Sequence, residues 1–354
     1  MLEVNVMAVS YADNAVMAKA HAMYGKRLTK ENYNDMLNCK SLNELANYLK
    51  TRTYFRSDFD ALPTNIDSTQ IEEILKISLL KKCEKLCKYQ LSAGENFYRY
   101  FVVQNDIRQL MTMIQLLIIG KPEKYLSSLP PFFNSKTDID LYDLAKVRSY
   151  SELLRVLEHT DYKKILERYR DNYSDDGMFI LIENDLNKYR FSFLVKSIKL
   201  SKDRRKKKEI YETVNYRLDM YTLTRAYRLL NFGSPNKMFI RDFGVQNCTN
   251  FSEKDLAAIS EAKNATDIIK IIPNTYYKKD FSKVDFKYIE NATREMLIGQ
   301  QLKGFRYYTN PTAVMLCYLF LAENEVRNII HIVEAIKYNI PADKARSVLI
   351  GTES

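Results

Sequence analysis

TKENYNDMLNCKSLNELANYLKTRTY, residues 29–54, decides the fold because the chain writes it three times. Aligned without gaps, it matches residues 137–162 and 252–277. Each copy starts on a hydroxyl residue, Thr29, Thr137 or Ser252, able to accept hydrogen bonds from the free N–H groups of a helix start. Apolar residues follow at matching places (Tyr33 and Met36, Leu141 and Leu144, Leu256 and Ile259) and lead to a base, Lys40, Arg148 or Lys263. A second cap comes next. Ser41, Ser149 or Asn264 stands three residues before Glu44, Glu152 or Asp267, which is capping-box spacing and predicts a second short helix. Its apolar face recurs at i, i+3 and i+4, at Leu45, Tyr48 and Leu49, at Leu153, Val156 and Leu157, and at Ile268, Ile271 and Ile272. Every copy closes on a tyrosine, Tyr54, Tyr162 or Tyr277.

A second block follows each of these. It opens on an acid, Asp106, Asp219 or Glu325, and carries apolar residues at helical spacing. It ends on Gly120, Gly233 or Asn339, the residue types that best tolerate the left-handed conformation just past a helix. Register is fixed within blocks and drifts between them, so insertions fall in the connections. Amphipathic helices resemble one another in their apolar positions, but the co-registered caps, acids, bases and tyrosines go beyond that. They predict three related helical domains, 1–125, 126–236 and 237–354, jointed where GKPEKYLSSLPPFFNSK (120–136) and NFGSPNKMF (231–239) supply Gly and Pro breakers. Long helical patterns cover 71–90, 96–119, 185–230 and 288–302, the third with its continuity open across SKDRRKKKEIYE (201–212).

The composition agrees with an all-α chain. Among 354 residues there are only 8 prolines and 9 glycines, and turn-marked strand patterns are scarce. Apolar residues at 46% can build a substantial core. The longest apolar stretches, 110–119 and 313–322, fall short of the roughly 20 residues a membrane span needs. The first residues carry an acid and no basic lead-in, so a signal peptide is not expected and a cytoplasmic protein is. Five scattered cysteines imply free thiols. A net charge of +10 suits an acidic partner, a nucleic acid or a lipid head-group surface without choosing among them.

Candidate chemistry is thin. In ENEVRNIIHIVEAIKYN (323–339), His331 and Glu334 share a helix face, yet a metal site needs further ligands and only His21 and His159 remain. A packing or surface histidine is the default, and no metal is expected. Cys83 and Cys87 stand among lysines but lack C-x-x-C spacing, so they read as structural thiols. The chain carries no glycine-rich phosphate loop and no G-x-S-x-G elbow, so no catalytic or cofactor-binding residue is assigned. The run KDRRKKKE (202–209) with frequent tyrosines raises nucleic-acid binding, since cations neutralise phosphates and aromatics stack on bases. No helix-turn-helix, zinc-finger or RNP signature accompanies it, and a charge run is usually a solvated face.

The repeats and the tail Glu325-Val326-Arg327-Asn328-Ile329, between NPTAVMLCYLFLAENE (310–325) and AIKYNIPADKARSVLI (335–350), resemble the C-subunit family of the V-type (A-type) ATPases, to which the eukaryotic d subunit is related. The resemblance spans nearly the whole chain. Its departures are a looser third copy, with Pro273 at its helix end, and the basic insertion at 202–208. It implies three helical domains in a pseudo-threefold, funnel-like array, without an active site and without a cofactor. It further implies a monomer within a larger complex, peripheral on the cytoplasmic face of the membrane. One end would sit on the membrane rotor ring (c or K subunits), and the other would hold the D and F subunits of the central stalk. Torque passing through it would couple ATP turnover to proton or sodium transport. Arg204, Arg205, Lys206, Lys207 and Lys208 are the expected charged partner surface. The alternative is a soluble basic helical-repeat protein that binds nucleic acid, which the adaptor reading does not expect.

Overall fold

The computed structural model describes residues 14–60, 65–89, 94–128, 137–175, 177–200, 207–231, 248–283 and 288–352. Within these residues the chain is all helix and turn, with no strand. The first copy supplies α1 (Lys30–Leu37), α2 (Leu42–Arg52), α3 (Ser68–Cys87) and α4 (Gly94–Ile118). The second supplies α5 (Leu141–Lys146), α6 (Tyr150–Val156), α7 (Asp161–Leu166), α8 (Met178–Leu200) and α9 (Lys207–Asn231). The third supplies α10 (Glu253–Glu261), α11 (Ala265–Ile271), α12 (Ile289–Tyr307), α13 (Pro311–Lys337) and α14 (Ala342–Arg346). The long pattern over 185–230 is therefore two helices, α8 and α9.

The second short helix of each copy begins in the same way. Ser41, Ser149 and Asn264 have extended backbones, and their side chains accept from the N–H groups of Glu44, Glu152 and Asp267. Those acids reach one residue further back than in a capping box. Each accepts from the N–H of the base before the cap, Lys40 (2.7 Å), Arg148 (2.7 Å) or Lys263 (3.2 Å). The first short helix differs between copies. Thr29 and Ser252 cap α1 and α10, but Thr137 does not cap α5; Asp140 does, accepting from the N–H groups of Tyr142 and Asp143. The ungapped alignment hides a helix that starts three residues late in the second copy and frees Thr137 for another bond.

Two of the expected helix ends carry positive φ, Gly120 at 68° and Asn339 at 52°. The N–H groups of Lys121 and Ile340 then turn back onto the carbonyls of Leu116 (2.9 Å) and Ala335 (2.8 Å), satisfying acceptors a helix end leaves free. Gly233 lies outside the described residues.

Among the described residues six long helices form the body. Within each copy they pair, α3 with α4, α8 with α9, and α12 with α13; between copies α4 packs on α8, α9 on α12, and α13 on α3. The set closes into a ring. The short helices pack against it through their repeated apolar positions: Leu45, Leu49, Leu153, Leu157, Ile268 and Ile272 are all fully buried. Each such side chain contributes on the order of 1.5–3 kcal/mol relative to exposure. The third copy's short pair packs on α9 of the second, where Phe251, Ile259, Ile268 and Tyr277 meet Tyr216, Met220 and Leu223. Packing therefore joins neighbouring copies rather than isolating them.

Gly304 lies where α12 meets α13, and a Cβ there would fall 2.7 Å from Cys317 Sγ and 2.6 Å from Tyr308 Cε2. Gly299, five residues earlier in α12, has nothing within 4 Å of that position. Gly304→Ala is expected to lower stability by about 1–3 kcal/mol in urea unfolding. Gly299→Ala should raise it by up to about 1 kcal/mol, because the helix loses a flexible residue.

Candidate functional site: three acids at the junctions

The acid that opens each second block and the tyrosine that closes each first block are bonded to one another. Asp106 on α4 is fully buried; its Oδ2 accepts from Tyr162 Oη at 2.9 Å, and its Oδ1 from Thr137 Oγ1 at 2.5 Å. Asp219 on α9 does the same one copy later, accepting from Tyr277 Oη (2.5 Å), Thr249 Oγ1 (2.5 Å) and the N–H of Asn250 (2.8 Å). The N–H of Asp138 completes the first set at 3.3 Å. Glu325 on α13 closes the series onto the start of the chain, accepting from Tyr54 Oη and, at 2.6 Å, from the N–H of Leu28. Each acid thus ties one copy to the next, and the last to the first.

Burial works against the charge of Asp106 and Asp219, and their three donors work for it. The balance leaves both carboxyls raised to about 6. The same burial, with the facing carboxylate, pushes the Tyr162 and Tyr277 hydroxyls far above the usual tyrosine range, so they remain donors. The third bond is built differently. Lys82 Nζ donates to Tyr54 Oη at 2.6 Å and lies 3.9 Å from the centre of that ring. Burial lowers its ammonium to about 8, with Glu325 and Asp58 opposing.

The tail stretch has structural roles along its length. Val326 and Ile329 are core residues, and Arg327 stands 3.9 Å from Glu323. Asn328 is fully buried; its Nδ2 donates to the Ile350 carbonyl at 2.8 Å, and its Oδ1 accepts from Arg294 at 2.5 Å. His331 Nδ1 lies 3.3 Å from Glu334, and Nε2 lies 3.3 Å from Arg294. Burial and the Arg294 charge hold its pKa below the usual histidine value. No group of three or more His, Cys, Asp or Glu able to hold a metal exists among the described residues. Cys83 and Cys87 are buried with sulfurs 3.6 Å apart, and burial pushes the Cys83 thiol well up, which keeps it unreactive. Of the basic run, Lys207 and Lys208 open α9; Arg204, Arg205 and Lys206 lie outside the described residues.

The sequence reading lacked the helpers, Thr137 in its real role, Thr249, Asn250, Leu28 and Lys82. It also lacked the fact that acid and tyrosine meet. The available signal was two polar groups recurring in register on otherwise apolar faces, each of which needs a partner once buried.

Tyr162→Phe and Tyr277→Phe are each expected to cost about 1.5–3 kcal/mol in chemical unfolding, the range for a bond to a charged group. Tyr307→Phe, at a side chain 74% exposed, should stay within about 0.5 kcal/mol. The raised Asp106 carboxyl also has a signed pH effect. Between about pH 4, where an unfolded aspartate titrates, and pH 6 the folded protein holds a proton that the unfolded chain releases, so stability falls as pH rises. The stability of wild type relative to Asp106→Asn should therefore drop by roughly 2.5 kcal/mol from pH 4 to pH 7. A flat difference would mean an unperturbed carboxyl.

A sequence model of the family described as ATP synthase (C/AC39) subunit matches residues 16–348. The C subunit of the A-type ATP synthase of Thermococcus kodakarensis is 22% identical over 329 residues, covering 90% of this chain and 85% of that protein. Its namesake in Pyrococcus abyssi is 21% identical over 346 residues, covering 94% and 88%. The protein of the same name from Methanocaldococcus jannaschii is 25% identical over 184 residues, spanning 52% of this chain and about half (46%) of its own length.

Proposed function

This chain belongs to the ATP synthase (C/AC39) subunit family, and we propose that it is the non-catalytic adaptor of a V-type (A-type) ATPase rotor. In this reading one end of the ring of helices sits on the membrane rotor ring, and the other receives the central stalk formed by the D and F subunits. Torque crosses the adaptor mechanically and couples ATP hydrolysis or synthesis in the head to proton or sodium movement. The three related helical domains, 1–125, 126–236 and 237–354, would be arranged with pseudo-threefold symmetry.

The observation that carries the reading is the closure of the ring by the same acid–tyrosine bond at each junction. A part that transmits torque must not shear between its units. Here each junction combines a packed helix pair with a polar bond whose loss would take one donor from a carboxylate withdrawn from water. A threefold-related body can also offer similar surfaces to a ring of identical subunits. No described helix is long and apolar enough to cross a membrane, which fits a peripheral position on the cytoplasmic face. The basic excess is compatible with anionic head groups nearby. Lys207 and Lys208, with the adjoining Arg204–Lys206 stretch, are the proposed charged contact surface.

Tagged protein captured from its native membrane in gentle detergent is expected to bring down the rotor ring and the central-stalk proteins. Recovery of neither would rule the adaptor out. Filter binding to RNA or DNA with a steep salt dependence would favour the nucleic-acid alternative instead.

A further inference from the structure

Where α4, α8, α9, α12 and α13 converge lies a half-open cavity of about 330 Å³ lined by six arginines and three glutamates. The glutamates are already engaged. Glu183 bonds Arg225, Glu290 bonds Arg228 at 2.8 Å, and Glu323 bonds Arg217. Burial opposes the charge of Glu323, but Arg217, Arg327, Gln104 and Arg190 together pull it down to about 2. Arg294 spends its donors on the neutral oxygens of Asn324 and Asn328. That leaves Arg190 and Arg327.

Arg190 is the telling one. It is only 9% exposed, its Nε is buried without an acceptor, and it has no hydrogen-bond or ion-pair partner among the described residues. Its guanidinium lies 5.0 Å from the Tyr100 ring centre and 4.7 Å from that of Phe191. Arg217 shares the Tyr100 ring at 5.8 Å and donates to its hydroxyl at 2.8 Å, so two cations flank one aromatic. A guanidinium stays protonated in proteins; Arg190 is near enough to help lower Glu323 but donates no hydrogen bond to any described residue, and a buried charge whose donors are unused is costly. Arg327, with its side chain 49% exposed, stands at the open side, 3.9 Å from a carboxylate that Arg217 already holds.

We propose that this cavity binds a multivalent phosphate-class oxyanion, held by Arg190 and Arg327 above the Arg217–Glu323 pair. Three cations in excess of the lining carboxylates call for a ligand with several negative charges. The planar guanidinium fork matches phosphate oxygens in pairs. The volume suits pyrophosphate or the phosphate chain of a nucleotide. These share one chemistry and differ only in source.

Calorimetric titration of the full chain at fixed ionic strength, with sodium pyrophosphate and with ADP, tests the proposal. Saturable single-site binding of pyrophosphate is expected, weakened at least tenfold by Arg190→Gln and severalfold by Arg327→Gln. Pyrophosphate binding without ADP binding would assign a free oxyanion, and binding of both would assign the phosphate chain of a nucleotide; either supports the site. If Arg190→Gln does not fold by circular dichroism, the exposed Arg327→Gln variant decides. No saturable heat for either ligand, or affinity unchanged in the folded variants, overturns the proposal. An acidic side chain of a partner would then be the better account of Arg190.

Discussion

A carboxylate removed from water has to be supplied with donors, and here the donors sit on the next copy of the repeat. Asp106 and Asp219 project from the long helices α4 and α9, while the hydroxyls and N–H groups that satisfy them lie ahead of and just beyond the following pair of short helices. Neither partner can be satisfied unless the junction forms. The apolar faces supply most of the energy of association but tolerate sliding; a bond with three convergent donors does not. Hydrophobic packing makes the copies adhere, and the acids fix how they sit.

The third junction shows what the ring has to solve. The first two acids bond residues 56 and 58 positions further on, whereas Glu325 and Tyr54 are 271 positions apart. Closing that distance lacks the help of a short connection. The site differs accordingly: the acid is a glutamate, one methylene longer, and Lys82 from α3 reaches the same tyrosine. Two of the scarce glycines have a structural reason, Gly120 at a helix end with positive φ and Gly304 at a close approach between helices.

Local signals were legible in the sequence. Ser41, Ser149 and Asn264 bond to an N–H only three residues away, so four residues contain the whole interaction. The helical class was legible from periodicity and the scarcity of breakers. Long-range pairing was not. The acids and tyrosines were visible as two separate recurring features, and one sequence offers no way to say that they touch. Thr137 was misplaced because an ungapped alignment cannot show that α5 begins three residues late with Asp140 as its cap. The arginines of the central cavity were invisible for a further reason. Arg190, Arg217 and Arg294 come from three different helices and belong to no repeated pattern, so only the ring brings them together.

The central claim is that the ring is closed by a direct bond between its first and last copies. A thermodynamic double-mutant cycle on Glu325→Gln and Tyr54→Phe measures that bond across the longest sequence separation. The account predicts a coupling energy of about 1.5–3 kcal/mol in equilibrium unfolding, the range for a hydrogen bond to a charged group. Additivity within about 0.5 kcal/mol would contradict it, because the two side chains would then stabilise the fold independently of one another.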